Sequence, residues 1–236
     1  MLSPEEWEAL RLSLTVAGWA TLGGLVVAVA FAWLLARHRF PGRVLLDALL
    51  HAPLILPPVV TGFALLLVFG VEGPAGRWLD AAWGVRLAFT PAGAALAAGV
   101  CAFPLMLRAA RQAIEAVDPA LEEAAQSLGA GAWDRAFTIV LPLAAPGLLA
   151  AAVVGFAAAL GEFGAVITFA ASIPGETQTL PLAIFAALQV PGGEGAALRL
   201  SGISLSVALG GLLLSEALLA VGRRRAGRIS GRGSGR

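Results

Sequence analysis

Lysine and tyrosine are both absent from this 236-residue chain, and cysteine occurs once, as Cys101. All 16 basic residues are therefore Arg. Without a lysine amine there is no P-loop ATPase, no Schiff-base enzyme and no pyridoxal enzyme. One thiol forms no intrachain disulfide, and with only His38 and His51 beside it it builds no His/Cys metal cage. Charge is also scarce. Asp, Glu and Arg make up 13% of the residues, about half the quarter usual in soluble domains. What fills the chain instead is 58% hydrophobic residues, 29 Gly and 14 Pro. The net charge of +1 conceals an asymmetry, because residues 223–236 hold six Arg and no acid. The remainder sets ten Arg against 15 acids.

The spacing of those few charges defines the class. Runs without any charge cover 12–36, 48–71, 87–107 and 136–161. A helix that crosses a bilayer needs about 20 mainly apolar residues, and each run meets that length. A further stretch, 198–222, is interrupted by Arg199 and Glu216. Four such runs in a soluble chain this short would leave too little polar surface to cover them. The sequence predicts an all-α polytopic membrane protein of about five spans, at 12–36, 48–71, 87–107, 136–171 and 198–222.

Arginine placement orients the spans. Arg37, Arg39 and Arg43 follow the first, Arg108, Arg111 and Arg135 lie between the third and fourth, and Arg223, Arg224, Arg225 and Arg228 follow the last. All three clusters reach the cytoplasm if the N-terminus is outside and the C-terminus inside. Residues 108–135 then form a cytoplasmic loop and 223–236 a cytoplasmic tail, suited to anionic lipid or serving topology alone. The segment 163–193, broken by Pro174, Pro181 and Pro191, reads as the fourth helix continuing outward and then a re-entrant or external segment. At the N-terminus, Glu5, Glu6 and Glu8 occupy the place of a signal peptide's basic region. Ser3-Pro4-Glu5-Glu6 instead predicts a helix start, with Ser3 as cap, Pro4 at the first helical position and Glu6 completing a capping box.

The most informative stretch is Asp118-Pro-Ala-Leu-Glu-Glu-Ala-Ala-Gln-Ser-Leu-Gly129. Asp118 suits an N-cap, Pro119 the first helical position, and Glu122 and Glu123 the positive end of the helix dipole. Leu121, Ala124, Ala125 and Leu128 make one apolar stripe, and Gly129 ends the helix in a left-handed turn. Physics alone leaves two readings, a docking helix or an amphipathic connector resting on the bilayer.

The spacing of Glu123-Ala124-Ala125, Gly129, Ile139 and Leu141-Pro142 resembles the EAA signature of the permeases of bacterial ABC importers. Several further segments are similar to the molybdate permeases among them: Arg37-His-Arg-Phe-Pro-Gly42, Pro53-Leu-Ile-Leu-Pro-Pro58, Leu160-Gly-Glu-Phe-Gly-Ala165 and Ile173-Pro-Gly-Glu-Thr-Gln-Thr-Leu-Pro181. Two positions depart from that pattern, Ala158 where a basic residue is expected and Phe185 where Tyr is more usual. The resemblance implies the type I ABC importer permease fold, with the 118–129 helix docking into a cytoplasmic ATPase. Glu122, Glu123, Ala124, Ala125 and Gly129 are then the coupling residues. It further implies a multi-pass protein of the cytoplasmic membrane that forms a homodimer and has no nucleic-acid partner. The partners would be two ATPase subunits, which bind ATP and Mg, an external molybdate-binding protein, and membrane lipid. The chain itself would carry no catalytic residue, no metal and no cofactor.

Pathway candidates follow from both sources. Pro53, Pro57 and Pro58 remove three backbone donors within a span, which leaves carbonyls that need protein or water. Glu162 is the acid of the 136–175 stretch and is either a gate residue or an interface residue. Gly161, Phe163 and Gly164 surround it, and the glycines permit close approach or a helix break. Thr177 and Thr179 offer neutral donors for an oxyanion, or simply start a helix. Glu216 is either an Arg partner or part of the path, and His51 and Cys101 read as core. The competing cargo is sulfate or thiosulfate, whose permeases share the EAA loop; tungstate matches molybdate in size and charge. An ion-coupled secondary transporter would show internal repeats and more intramembrane carboxylates. An intramembrane serine protease would need a Ser–His pair in the bilayer.

Overall fold

The N-terminal helix starts as its first residues dictate. In the computed structural model of the chain, the Ser3 hydroxyl accepts from the Glu6 amide and the Glu6 carboxylate accepts from the Ser3 amide, a complete capping box ahead of Pro4. Helix α1 then runs unbroken over Pro4–Arg37. The structure describes residues 3–230, and side-chain surroundings for all of these except 212 and 214–230. Glu216 and the arginine-rich tail 223–236 therefore lie outside the residues whose side chains are described.

Small residues let the long helices approach. On α1, Val16 and Ala20, and after Gly24 also Ala28 and Ala32, are buried along one four-residue ridge, and on α5 (Pro91–Glu115) Ala94, Ala98, Ala102, Met106 and Ala110 are buried at four-residue steps. Ridges at that spacing interdigitate, and in a bilayer, where no hydrophobic effect joins helices, close contact between small residues does. The third member of this core is α8 (Leu141–Leu160). A side chain at Gly24 of α1 or Gly155 of α8 would collide with Met106.

Two of the expected spans are not continuous helices, and proline explains the first and a widened turn near the start of the second. The 48–71 run divides into α2 (Arg43–Ile55) and α3 (Pro58–Phe69), which meet at 115°. Leu56 and Pro57 each precede a proline, which drives a residue out of the helical region, and both are extended, with ψ of 142° and 135°. Helix α7 (Ala132–Arg135) leads into the 136–171 run, which starts as a π-helical turn at Ala136–Val140 and continues as α8. Pro142 supplies no amide and its ring crowds the carbonyl four residues back. The widened turn just before it, where the Leu141 amide reaches the Ala136 carbonyl, accommodates that clash. After α8 the chain breaks at 161–163 and resumes as α9 (Gly164–Ala170).

Between α3 and α5 lies the short α4 (Pro74–Trp83), and α6 (Pro119–Ser127) follows α5. The 163–193 segment holds α9 and α10 (Leu180–Leu188), both too short to cross a bilayer at 1.5 Å per residue. Helix α11 (Glu194–Ser230) is the last described element. Among the described residues, α1, α5 and the helix Ala132–Leu160 are each long and apolar enough to span, and the bent α2–α3 pair makes a fourth.

Ion pairs identify the two ends of the bundle. Arg37 meets Glu122 at 2.8 Å and Arg111 meets Asp47 at 3.2 Å, so the ends of α1 and α5 and the starts of α2 and α6 share one end. At the other, Arg199 of α11 bonds Glu6 at 2.9 Å, and the Leu180 amide donates to Ser13 at 2.6 Å.

Candidate functional site: a docking helix and a double helix break

Helix α6 takes the form its sequence predicts. Asp118 caps it by accepting from the Ala120 amide at 2.9 Å. At its C-terminus Ala130 donates to the Ala125 carbonyl and Gly129 to that of Gln126, both at 3.0 Å. This is the Schellman arrangement, and Gly129 has the φ of +91° that the motif demands. No residue of α6 is buried. The apolar stripe is turned away from the body, with Leu121 47% and Leu128 90% exposed. Such a face needs a partner. Glu123 is exposed beside Ala124, whereas Glu122 is turned inward onto Arg37.

Between α6, α7 and the end of α1 lies a cavity of about 800 Å³. Trp33, Trp133, Phe137, Arg37 and Arg135 contribute to its walls. Trp133 and Phe137 stack with ring centroids 6.1 Å apart.

The second constellation lies deeper. The α2–α3 break and the α8–α9 break are side by side: a Cβ on Gly164 would stand 2.8 Å from Cβ of Pro58 and 3.2 Å from the Val59 nitrogen. One on Gly62 would stand 2.7 Å from the Ala165 carbonyl oxygen. Glycine at both positions is what allows α3 and α9 to touch. Glu162 sits at the junction, and its carboxylate caps α9 by accepting from the Ala165 amide at 2.9 Å. Phe163 packs edge-on against Phe185, centroids 5.0 Å apart. Ala158 packs on the main core.

Depth follows from neighbours. Glu162 and Thr61 lie near Cys101, ten residues into α5, about 15 Å along from that helix's start at 1.5 Å per residue. The start of α5 is level with the end of α9, where Phe89 donates to the Phe169 carbonyl at 3.3 Å. Glu162 thus lies about 15 Å in from the end of the bundle where α5 starts. The Thr61 hydroxyl is buried with no hydrogen-bond partner.

The structure brings Pro57, Pro58, Gly161, Glu162, Phe163 and Gly164 to this junction and leaves Thr177 and Thr179 out of it. Thr177 is fully buried and stitches the turn after α9, its hydroxyl accepting from the Ile173 amide at 3.0 Å and donating to the Ala171 carbonyl at 3.3 Å. Thr179 occupies the N-cap of α10 and is also buried. Neither presents surface to an anion here. Sequence reasoning missed the neighbours of Glu162, because nothing in the chain links position 101 to 162. It also missed the polar cluster at the α6 end of the bundle, where Asp47 receives Arg111 and contacts His51 at 3.3 Å. The four-residue step from Asp47 to His51 is the signal that was available.

An all-helical bundle with broken spans and a protruding loop helix defines a class of membrane transport component, and comparison with known proteins agrees. The chain belongs to the family of binding-protein-dependent transport system inner membrane components, whose profile matches residues 24–225. It is 51% identical over 228 residues to the molybdenum transport system permease protein ModB of Escherichia coli, covering 97% of this chain and all of that one. Identity to the Haemophilus influenzae ModB is 49% over 211 residues, 89% of this chain and 92% of the other. The E. coli sulfate transport permease CysT is 38% identical over 187 residues, 79% of this chain and 67% of that one. The fold matches the MetNI methionine ABC transporter in inward-facing form, with a TM-score of 0.70 at 16% identity, over 94% of this chain and 99% of the other. An alginate-importing ABC transporter gives the same score at 18% identity, over 94% and 80%. The fold is that of the type I ABC importer permeases.

Proposed function

We propose that the chain is the non-catalytic transmembrane subunit of an ATP-driven importer of molybdate, with tungstate as its near-isostere. The observation that carries the importer reading is α6, a capped surface helix with its apolar face uncovered and its glycine turn in place. The cargo is inferred from relatives. Identity to molybdenum permeases extends along almost the whole chain, while the sulfate permease is more distant.

In this reading two copies of the chain pair in the cytoplasmic membrane, N-termini outside and C-termini inside. Each presents α6 to one ATPase subunit, using Glu123, Ala124, Ala125 and the Gly129 turn, and an external binding protein delivers the anion. ATP and Mg bind the ATPase, since this chain has no lysine for a P-loop. Closure of the ATPases draws the two α6 helices together and opens the spans outward; hydrolysis reverses the movement. The junction of Pro57, Pro58, Gly161, Glu162, Phe163 and Gly164 is the gate, because two helix breaks in contact give a hinge that a continuous helix lacks.

The test is reconstitution with the ATPase and binding protein in proteoliposomes. Molybdate-loaded binding protein is expected to stimulate ATP hydrolysis and uptake; stimulation by sulfate-loaded protein alone would overturn the cargo. Gly129→Val forces a branched side chain into the left-handed region at a cost of about 1–2 kcal/mol. It is expected to abolish co-purification of the ATPase, and retention of both binding and uptake would sink the docking role of α6.

A further inference from the structure

Because α6 buries no side chain, packing does not fix where it stands. Among the described residues two side-chain tethers do. Gln126 accepts from Arg135 of the neighbouring α7, a local link. Glu122 forms an ion pair with Arg37, the last residue of α1, and that tether reaches a helix far back in the chain. The Arg37 nitrogen that meets Glu122 also donates to the carbonyls of Ile114 at 3.1 Å and Val117 at 3.3 Å. Those carbonyls belong to the end of α5 and the elbow into α6, where the helix dipole favours a cation. One guanidinium thus gathers three elements. Both partners are largely withdrawn from solvent, with side chains 16% and 18% exposed, so the pair is less screened than a surface ion pair.

We propose that Arg37–Glu122 is the strut by which displacement of α6 is passed to α1, with Arg37 and Glu122 as positioning residues for transport. The proposal rests on the reading of α6 as the ATPase-docking helix. Helix α1 is unbroken from Pro4 to Arg37 and packs its alanine stripe along α5 and α8. A pull on Arg37 therefore moves the helix as a rod. Without the strut, a displaced α6 keeps only the local Gln126–Arg135 link and its own chain, which leads into α5 by the 116–118 elbow and into α8 by the π turn. The adjacent acids divide the work. Glu122 is engaged within the chain, and Glu123 is the one left exposed for a partner.

If Arg37 were merely the cytoplasmic anchor of α1, the charge at Glu122 would be irrelevant to transport. Glu122→Gln, Glu122→Arg, Arg37→Glu and the exchange Arg37→Glu/Glu122→Arg separate the two in proteoliposomes with ATPase and binding protein. The measurements are ATPase co-purification and molybdate taken up per ATP hydrolysed. All four variants are expected to keep the ATPase bound. Uptake per ATP should fall about tenfold in the single variants and return to within about threefold of the parent in the exchange. Unchanged coupling in Glu122→Gln overturns the strut, as does an exchange no better than its singles. Loss of ATPase binding in Glu122→Gln overturns it too, by placing Glu122 in the ATPase interface. Failure of the docking reading is read separately, from Gly129→Val, which leaves both strut residues intact.

Discussion

A buried hydroxyl can serve a ligand or the fold, and Thr177 shows how to tell them apart. Its oxygen is donor to one backbone group and acceptor from another, so the turn that follows α9 is closed by the side chain itself. That turn holds Ala171 at φ 61° and ψ −165°, a region otherwise kept for glycine, which makes the closure necessary. Thr177→Val keeps the shape and deletes both bonds, leaving the half-buried Ile173 amide without its partner at a cost of about 1 kcal/mol. The expected outcome is a lower melting temperature in detergent, with uptake per folded transporter unchanged, and full recovery in Thr177→Ser. A rise in the apparent KM for the anion without loss of stability would instead make Thr177 a substrate contact.

Among the elements, the paired breaks are the part of the fold that local rules explain well and contact rules do not. Successive X-Pro steps at 56–58 and the glycines at 161 and 164 announce in the sequence that two spans are interrupted. The capping box of α1 and the Asp118 and Gly129 ends of α6 are equally legible, since each depends on residues within a turn of one another. That the breaks touch is a tertiary fact, carried by Gly62 and Gly164 against residues far along the chain, and no periodicity encodes it. The same holds for Arg37–Glu122, where each residue is legible as a charge at a helix end but the pairing is not. The α3–α9 contact has a direct test. Gly62→Val places carbon within 2.7 Å of the Ala165 carbonyl oxygen and 2.8 Å of Thr168 Cβ, so α3 and α9 must part. The variant is expected to assemble with its ATPase and to hydrolyse ATP without accumulating molybdate, lowering uptake per ATP by at least about tenfold. Uptake at the parental rate would show that α3 and α9 do not form the gate.

For the whole molecule, the question is what covers α2 and α3. Helix α2 has no buried residue, and Val44, Leu45, Ile55 and Phe63 are exposed along the pair. Apolar side chains of this kind can face lipid, but the break between them cannot. The carbonyls of Pro53 and Leu54 would bond the nitrogens of residues 57 and 58, and both are prolines. Carbonyls without donors are not tolerated in hydrocarbon, only against protein or water. In the proposed homodimer, with the twofold axis usual in such assemblies, the exposed side of the break would face an aqueous path completed by the second copy. An unbroken helix such as α1 has no such requirement, so its exposed Leu22 is free to meet lipid. With Cys101 replaced by Ala, single cysteines at Leu56 and Val60 should react with a charged thiol reagent in the assembled transporter. They should also yield a cross-linked dimer of this chain with a bifunctional maleimide. Cysteine at Leu22 should do neither, because a thiol in hydrocarbon does not ionise. If positions 56 and 60 are as inert as 22, the broken span does not line the path, and the freed carbonyls require a partner within the same copy.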